Sequence, residues 1–119
     1  MMRRLVDDWS SGANRFDRPG EFLLGAYLGE RLAGVGGLNR DPYVFDDLTG
    51  RVRHVFVMPD ARRSGVGTAL LLHIIARAPE PFRVLRLRTF SADGAAFYAA
   101  LGFVETSEAD ASHRMVLRD

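Results

Sequence analysis

The chain has 119 residues, 47% of them hydrophobic, which is enough to bury one core, so a single folded domain over residues 1–119 is predicted. Its formal net charge of +1 gives no electrostatic reason to expect a nucleic acid or an anionic membrane as a partner. It contains no Cys, and all 16 of its basic residues are Arg, which excludes disulfides, thiolate metal sites and Cys or Lys nucleophiles. No metal site is expected, and the lack of Cys and of a long apolar stretch is typical of a cytoplasmic protein.

The first part of the chain is predicted to form a short helix and then a hairpin. The helix runs from Arg3 to about Gly12, because three apolar side chains would share one helical face. Residues 21–28 and 31–38 form the two strands, and the turn Gly29-Glu30 has glycine where a type II′ turn requires it. Three glycines in the second strand indicate a bulge or a close approach to its backbone.

The middle of the chain alternates strands and helices, and its end is a second hairpin. Predicted strands occupy residues 51–58 and 83–89, predicted helices 65–78 and 92–101, and two closing strands 103–106 and 114–117. The first of these helices is apolar on nearly all sides, as expected for a helix buried against a sheet. Strand-helix-strand units imply parallel pairing, and hairpins at both ends imply antiparallel pairing. The predicted fold class is therefore α/β (α+β), with a mixed, partly parallel central sheet flanked by helices.

A turn rich in arginine and glycine joins the strand at 51–58 to the helix that follows. The first backbone N–H groups of a helix have no partner within it, and the helix dipole favours an anion there. Gly65 and Gly67 would let an anion approach these amides, while Arg62 and Arg63 add positive charge. The pattern indicates an anion site; a tight strand-to-helix turn beside two solvated arginines is the other interpretation.

Two common phosphate-binding motifs are excluded at this turn. A P-loop ends in Gly-Lys-Ser or Gly-Lys-Thr, and the chain has no Lys. A dinucleotide-binding fingerprint that begins at Gly65 requires its third glycine at position 70, which is Leu70. If an anion binds here, it is held in another way.

The turn and a second segment together resemble a known family. The spacing Arg62-x-x-Gly65-x-Gly67 follows a strand that ends Val55-Phe56-Val57-x-Pro59, and the later string Ala96-Phe97-Tyr98-Ala99-Ala100-Leu101-Gly102-Phe103 has a tyrosine on a helix that stops at Leu-Gly-Phe. In this order, both motifs resemble those of the GNAT superfamily of N-acetyltransferases, and the resemblance runs from about Glu21 to the C-terminus. It implies a GNAT-like fold and direct acetyl transfer from acetyl-CoA, the cosubstrate, to an amine of a small molecule, peptide or protein.

The resemblance also implies roles for individual residues. In the family, the strand end holds the pantetheine arm, the turn holds the pyrophosphate, a polar residue before the late helix touches the cofactor, and the tyrosine protonates the departing thiolate. Carried over to this chain, the residues on the cofactor are Val55, Phe56, Val57, Arg62, Arg63, Ser64, Gly65, Val66, Gly67, Thr68 and Ser91, and the catalytic residue is Tyr98.

Three of these assignments have alternatives. The Arg62 side chain could brace the turn instead of contacting phosphate. Ser91 could be the N-cap of the helix that begins at Ala92. Tyr98 could be an aromatic residue packed on its helix beside Phe97.

The general base is where the chain departs from the family pattern. Many members have a glutamate in the strand before the turn or in the next strand, and no carboxylate stands in either stretch here. His54 has a useful pKa, but strand alternation places it on the opposite face from its neighbours, where a core histidine is as good an interpretation. His113 is another candidate, and Asp46 and Asp47 lie in a loop that could reach the substrate or form a solvated turn. An amine that arrives neutral would need no base.

Four strand arginines bear on the acceptor. If Arg51, Arg53, Arg86 and Arg88 share a face, they would form a basic wall suited to an acceptor with a carboxylate or a phosphate. The other interpretation is a set of strand arginines on a solvated face.

Residues 1–20 form an atypical N-terminal segment before the predicted cofactor-binding core at 21–119. The family usually opens with a strand and a helix that line the acceptor side, and only one short helix is predicted here, which gives a GNAT-like fold with a shortened N-terminus. The acceptor groove is then either open or completed by a second subunit, as in a homodimer with Trp9 or Phe16 at the interface. The rival hypotheses are a catalytically weak acyl-CoA sensor module or incomplete subunit, and a small α/β protein that binds a nucleotide at the same turn.

Overall fold

The computed structural model describes residues 2–8 and 18–118, and within them the chain forms one seven-stranded sheet with two α-helices. The strands are β1 (Met2–Asp8), β2 (Phe22–Leu28), β3 (Arg31–Arg40), β4 (Thr49–Val57), β5 (Val84–Leu87), β6 (Val104–Glu105) and β7 (His113–Val116), and the helices are α1 (Val66–Arg77) and α2 (Ala92–Ala100). The strand order is β1-β2-β3-β4-β5-β7-β6. Only β4 and β5, among these strands, pair in parallel, and they are joined through α1. The predicted mixed, partly parallel sheet is thus confirmed.

The start of the chain differs from the sequence prediction. Residues 2–8 are a strand, so the helix predicted from Arg3 to Gly12 is wrong there; β1 pairs antiparallel with β2, and Leu5 lies opposite Ala26. The positions of three apolar residues are too few to distinguish a helical period from a strand period. The strand forms because the backbone groups at the edge of β2 require hydrogen-bond partners, which β1 supplies. Trp9 and Phe16 lie outside the described residues.

The hairpin of β2 and β3 positions α1 against the sheet. Gly29 has a φ of 64°, as its place in the predicted II′ turn requires. On β3, a Cβ added to Gly34 would lie 3.0 Å from Val66 Cγ1, and one added to Gly36 would lie 3.3 Å from Ile74 Cδ1. The close approach that these glycines indicated is therefore the approach of α1.

Helix α1 buries one face rather than its whole surface. Val66, Leu70, Leu71 and Ile74 are buried at helical spacing, whereas Leu72 is 53% exposed. Because folding removes these side chains from water, their burial stabilises the folded state by on the order of 1.5–3 kcal/mol per residue. The start of α1 is thereby held in a fixed place over β3 and β4.

Strands β4 and β5 pair over three residues and then diverge. Their register joins Thr49 to Val84 and Arg51 to Arg86, after which β4 continues beside β3 and β5 beside β7. A β-bulge accompanies the divergence. Between the pairs Gly37–Arg53 and Val35–Phe56, β3 has one residue, Gly36, whereas β4 has two, His54 and Val55. His54 has a φ of 57°. A bulge bends and twists its strand, so β4 turns away from β5 and leaves a wedge between them.

A buried carboxylate ties the two strands together at the root of this wedge. The Asp41 side chain is inaccessible to solvent, and its Oδ2 accepts hydrogen bonds from Arg86 Nε at 3.0 Å and Arg51 Nη1 at 3.3 Å. Its Oδ1 accepts the Tyr43 backbone N–H at 2.9 Å. The sequence suggested a basic cleft wall or a solvated face for the strand arginines, and both interpretations are wrong for these two, because they are buried and paired.

The same two arginines also hold the loop between β6 and β7. Arg51 Nη2 donates to the Asp110 carbonyl oxygen at 2.7 Å, and Arg86 Nη2 donates to the Ala109 carbonyl oxygen at 2.9 Å. Because a guanidinium carries five donors in a fixed plane, each arginine reaches the carboxylate and the loop at once. The loop is therefore fixed beside the wedge by the same charge cluster.

We predict that Asp41→Asn destabilises the protein by roughly 3 kcal/mol, because it removes the one carboxylate that pairs with the buried Arg51 among the described residues and leaves the buried Arg86 with the partly exposed Glu108 alone. Urea unfolding followed by circular dichroism measures the loss. Asp47→Asn is the matched control in the same loop, since the Asp47 side chain is 81% exposed and its pairing with Arg40 is worth at most about 1 kcal/mol. Equal stability losses in the two variants would contradict the role given to Asp41.

Candidate functional site

The wedge between β4 and β5 opens into a cleft of about 480 Å³. The end of β4, the turn before α1, the loop after β5 and one face of α2 line it. Of the residues that the sequence assigned to a cofactor or to catalysis, the lining includes Val55, Val57, Arg62, Arg63, Gly65, Gly67, Thr68, Ser91 and Tyr98. Two motifs that are far apart in the sequence thus meet around one space.

Three of the assigned residues have side chains outside the cleft lining. Val66 is 2% exposed and belongs to the core under α1. Ser64 turns its hydroxyl to the Ala61 carbonyl oxygen, to which it donates a hydrogen bond. Phe56 is 48% exposed, and its partner in β3 is Val35. These three residues can therefore contact a ligand in the cleft through backbone atoms and not through their side chains.

The turn before α1 presents bare backbone amides to the cleft. Gly65 is the N-cap of α1 with a φ of 86°, and none of the described side chains caps the first turn of the helix. A Cβ added to Gly65 would meet nothing within 4 Å, so the space in front of the turn is open. The first turn of α1 contains no acidic residue. Unpaired N–H groups at the positive end of a helix dipole form an anion site.

The two arginines of the turn are placed differently. Arg62 Nε donates to the Val57 carbonyl oxygen at 3.1 Å, and its guanidinium lies 5.7 Å from the centre of the Phe56 ring. Arg62 therefore braces the turn against the end of β4. Arg63 is exposed, has a φ of 64° and has no ion-pair partner among the described residues, so its charge is free to neutralise an anion in the cleft.

The loop after β5 and the start of α2 form the opposite wall. Ser91 is the N-cap of α2, because its Oγ accepts the Gly94 N–H at 2.9 Å, and it also lines the cleft. The lining includes residues that the sequence analysis missed, namely Ala61, Thr89, Asp93, Gly94 and Phe97. The helical spacing of Gly94, Phe97 and Tyr98, at i, i+3 and i+4, is a signal that could have identified two of them.

Tyr98 is packed against aromatic neighbours and lines the cleft. Its ring centre lies 5.0 Å from that of Phe97 and 5.6 Å from that of Phe103, both in edge-to-face geometry. Burial raises the pKa of Tyr98 to about 12. At neutral pH the hydroxyl therefore keeps its proton and is a hydrogen-bond donor at the wall of the cleft.

The candidate bases differ in their distance from this cleft. His54 lies on the bulge of β4, where the strand alternation assumed from the sequence is interrupted. It is mostly exposed and outside the cleft lining, and partial desolvation of its ring together with the Arg53 charge lowers its pKa. His113 is buried, with its Nδ1 2.9 Å from Ser112 Oγ. Asp46 and Asp47 precede Thr49, at the end of β4 opposite the cleft, and Asp47 pairs with Arg40. His54 is the one of these four that adjoins the wedge.

The described residues hold no group of three His, Asp or Glu side chains that could bind a metal ion. In the same part of the chain, no helix has the length and apolar character needed to cross a bilayer.

Comparisons with known proteins agree with this geometry. The sequence model of the acetyltransferase (GNAT) family matches residues 2–103. A candidate acetyltransferase of Exiguobacterium sp. 255-15 superposes with a TM-score of 0.76 and 34% identity, over 85% of this chain and 66% of that one. A search of curated proteins gives no match.

Two more distant structures share the fold. One is the ribosomal-protein-S18-alanine N-acetyltransferase of Escherichia coli, with a TM-score of 0.66 and 22% identity over 83% of this chain and 70% of that one. The other is a candidate acetyltransferase of Salmonella typhimurium, solved with its cofactor acetyl-CoA, with a TM-score of 0.71 and 18% identity over 84% and 66%. The chain thus spans about two thirds of the length of these relatives.

We predict that a negative charge at Thr68 weakens the binding of CoA without harming the fold. Thr68 is exposed in the first turn of α1 and lines the cleft. Thr68→Glu should lower the affinity at least about tenfold by repulsion of the phosphates, while an acid at a helix start stabilises the free protein by roughly 0.3–1 kcal/mol. Calorimetric titration with CoA and thermal unfolding measure the two effects. Thr68→Gln is the neutral control, and equal CoA affinities for Thr68→Glu and Thr68→Gln would count against an anion site at this turn.

Proposed function

Because the chain belongs to the GNAT family of acetyltransferases, we propose that it transfers the acetyl group of acetyl-CoA directly to an amine. One observation carries the proposal: the open amides at the start of α1, the free edge of β4 and the Tyr98 hydroxyl border the same cleft. The reaction requires a phosphate site, a slot for an extended arm and a hydrogen-bond donor for the leaving sulfur.

The chain's own residues fit the cofactor from one end of the cleft to the other. The amides of Gly65 to Thr68 and the Arg63 guanidinium suit the pyrophosphate, which carries two negative charges within a few ångströms. Beyond Arg51, the edge of β4 that faces β5 has lost its strand partner, and an extended ligand can hydrogen-bond there as an added strand does. The relative from Salmonella typhimurium that was solved with acetyl-CoA has the same fold, which supports this placement.

When bound, acetyl-CoA supplies the acetyl group as a thioester, and the amine nitrogen forms a bond to its carbonyl carbon while the carbon–sulfur bond breaks. In the proposed reaction, a backbone N–H of residues 55–57 stabilises the negative charge that develops on the carbonyl oxygen. The Tyr98 hydroxyl donates to the sulfur as it leaves with the electron pair. The attacking nitrogen loses one proton to a base, and the sulfur leaves as a thiolate that takes a proton from solvent, so an amide and a thiol are the products.

The raised pKa of Tyr98 defines how it contributes. A phenol with a pKa of about 12 is a weaker acid than a thiol, whose pKa is about 8.5, so complete transfer of the proton to a free thiolate is uphill. Tyr98 acts as a hydrogen-bond donor that stabilises the sulfur while the bond breaks. It stays in the donating form throughout the physiological pH range.

His54 is the base that we propose for the amine. Its lowered pKa leaves the imidazole neutral at neutral pH, which is the form that accepts a proton. It lies on the bulge of β4 directly before Val55, which lines the cleft, and its own side chain is outside that lining.

A binding module without turnover is the second candidate function. The observation in its favour is that Asp41, the carboxylate beside β4 and β5, is buried and hydrogen-bonded to two arginines, so it cannot serve as the base for an amine. A homodimer and a cytoplasmic location stay predictions, and the acceptor is taken up below.

We predict that Tyr98→Phe lowers kcat for thiol release about 10²-fold and leaves KM for acetyl-CoA nearly unchanged, because the lost bond acts on the leaving sulfur and not on the bound thioester. The assay follows CoA thiol release over many turnovers with a panel of amines. Tyr27→Phe removes a hydroxyl on β2, outside the cleft lining, and should behave as wild type. No release above hydrolysis with any amine would favour the binding module, and full activity in Tyr98→Phe would remove Tyr98 from its role.

The pH dependence of kcat/KM tests His54. Activity that needs the neutral imidazole is present above its pKa and is lost as the pH falls through it, so the acid limb has its midpoint below the ordinary value of 6.5. We expect His54→Gln to lack this limb when both enzymes are assayed with the same amine from about pH 5 to 8, since the ionisation of the amine is then common to both. Superimposable profiles would exclude His54 as the base.

A further inference from the structure

We infer that the acceptor is a small amine that carries a carboxylate, and that Arg53 and Arg88 bind this group on the face of the sheet opposite α1. The inference rests on the proposed function and names the substrate class of the same wedge. It follows from where the strand register puts the two arginines, from their lack of counter-charges and from the aromatic residues beside them.

The register of β3 and β4 puts Arg53 on the face away from α1. Gly34 and Gly36 of β3 face α1, because side chains added there would meet Val66 and Ile74. Gly37 therefore faces the other way, and Arg53 is its partner in β4. Arg53 is half-buried on this face, two residues beyond the last pair between β4 and β5.

Arg88 stands on the other rim of the wedge. Leu85 and Leu87 of β5 point into the core, at 0% and 2% exposure, so Arg86 between them points to the opposite face. Arg88 follows Arg86 by two residues and is exposed, whereas its neighbour Thr89 lines the cofactor cleft. The two arginines thus border the wedge on the side from which an acceptor can meet a thioester held on the α1 side.

These two arginines differ from the pair at the root of the wedge. Arg51 and Arg86 are paired with Asp41, and Arg86 also with Glu108, while Arg53 and Arg88 have no ion-pair partner among the described residues. A half-buried guanidinium without a counter-ion is unfavourable, and a carboxylate offers it two parallel hydrogen bonds. An anionic acceptor would supply the missing charge.

Exposed aromatic residues accompany each arginine. On the β4 rim, Phe56 is 48% exposed. Its partner in β3 is Val35, which lies two residues before Gly37 and therefore on the same face of the sheet. Phe56 thus shares the face of Arg53, the partner of Gly37. On the β5 rim, Phe90 is 90% exposed and its ring centre lies 5.3 Å from the Arg88 guanidinium. Exposed rings beside a pair of donors suit the apolar body of a small ligand, with the arginines fixing its orientation.

The test compares amines in matched pairs in the acetyl-CoA thiol-release assay. β-Alanine with β-alaninamide, and 4-aminobutyrate with its amide, keep the same primary amine on the same chain, and only the acid of each pair carries a carboxylate. The phosphonate analogue of β-alanine and a tripeptide amide are added to separate a phosphate site and a peptide site from the proposed one. Wild type, Arg53→Gln, Arg88→Gln and the conservative Arg53→Lys and Arg88→Lys are measured, with Arg83→Gln as a control for loss of charge at the far end of β5.

We expect wild type to prefer the acid of each pair by roughly tenfold or more in kcat/KM, as the loss of a charged hydrogen bond implies. The Gln variants should raise KM for the acids. Arg88→Gln should leave the amides unchanged, whereas Arg53→Gln also removes a charge that lowers the pKa of His54, so its effect is measured as the ratio of kcat/KM between the acid and the amide of each pair. The Lys variants should retain part of the preference, and Arg83→Gln should match wild type. Equal use of acids and amides, a preference for the phosphonate or the tripeptide, or a preference that survives in both Gln variants would overturn the inference and leave the proposed function intact. Absence of release with every amine would overturn both.

Discussion

The site depends on one constraint, which is that β4 and β5 pair in parallel for only three residues before they part. Two devices impose it. The bulge at His54 turns β4 away from its neighbour, and the buried Asp41 carboxylate holds Arg51 and Arg86 together at the last pair. A buried charge with two guanidinium partners is stable only in that geometry, so the cluster fixes where the strands separate and where the loop after β6 lies.

The wedge between β4 and β5 is bordered by different functional groups on the two faces of the sheet. On the α1 side, a helix start without a side-chain cap and an unpaired strand edge border the cleft, and they suit the phosphate and extended arm of the proposed cofactor. On the opposite side, Arg53 and Arg88 stand at the two rims with exposed phenylalanines. Tyr98, kept protonated by burial, lines the cleft on the α1 side, and the proposed reaction would take place where the two faces meet in the wedge. Acetyl transfer between a cofactor and an acceptor that enter from opposite faces is what such an arrangement permits.

Most of the fold could be predicted from the sequence, because periodicity and turn residues are local signals. The hairpin at Gly29, the buried helix and the turn from Arg62 to Thr68 are of this kind. The strand at residues 2–8 was not predicted, since only its partner β2 determines it. The sequence also could not show that Asp41 is buried, because its arginine partners lie 10 and 45 residues away in the chain. The alternation that placed His54 failed because a bulge adds one residue to a strand without a marker in the local sequence.

The most direct measurement of the central claim is a titration of the isotope-labelled protein with CoA, followed by the backbone amide resonances in NMR spectra. We predict that the largest shifts fall on residues 55–57 and on Gly65 to Thr68, with smaller shifts around Tyr98, because these backbone groups would meet the pantetheine arm and the pyrophosphate. Largest shifts elsewhere, such as at the hollow between Arg18, Leu48 and Phe82, with the turn unchanged, would contradict it.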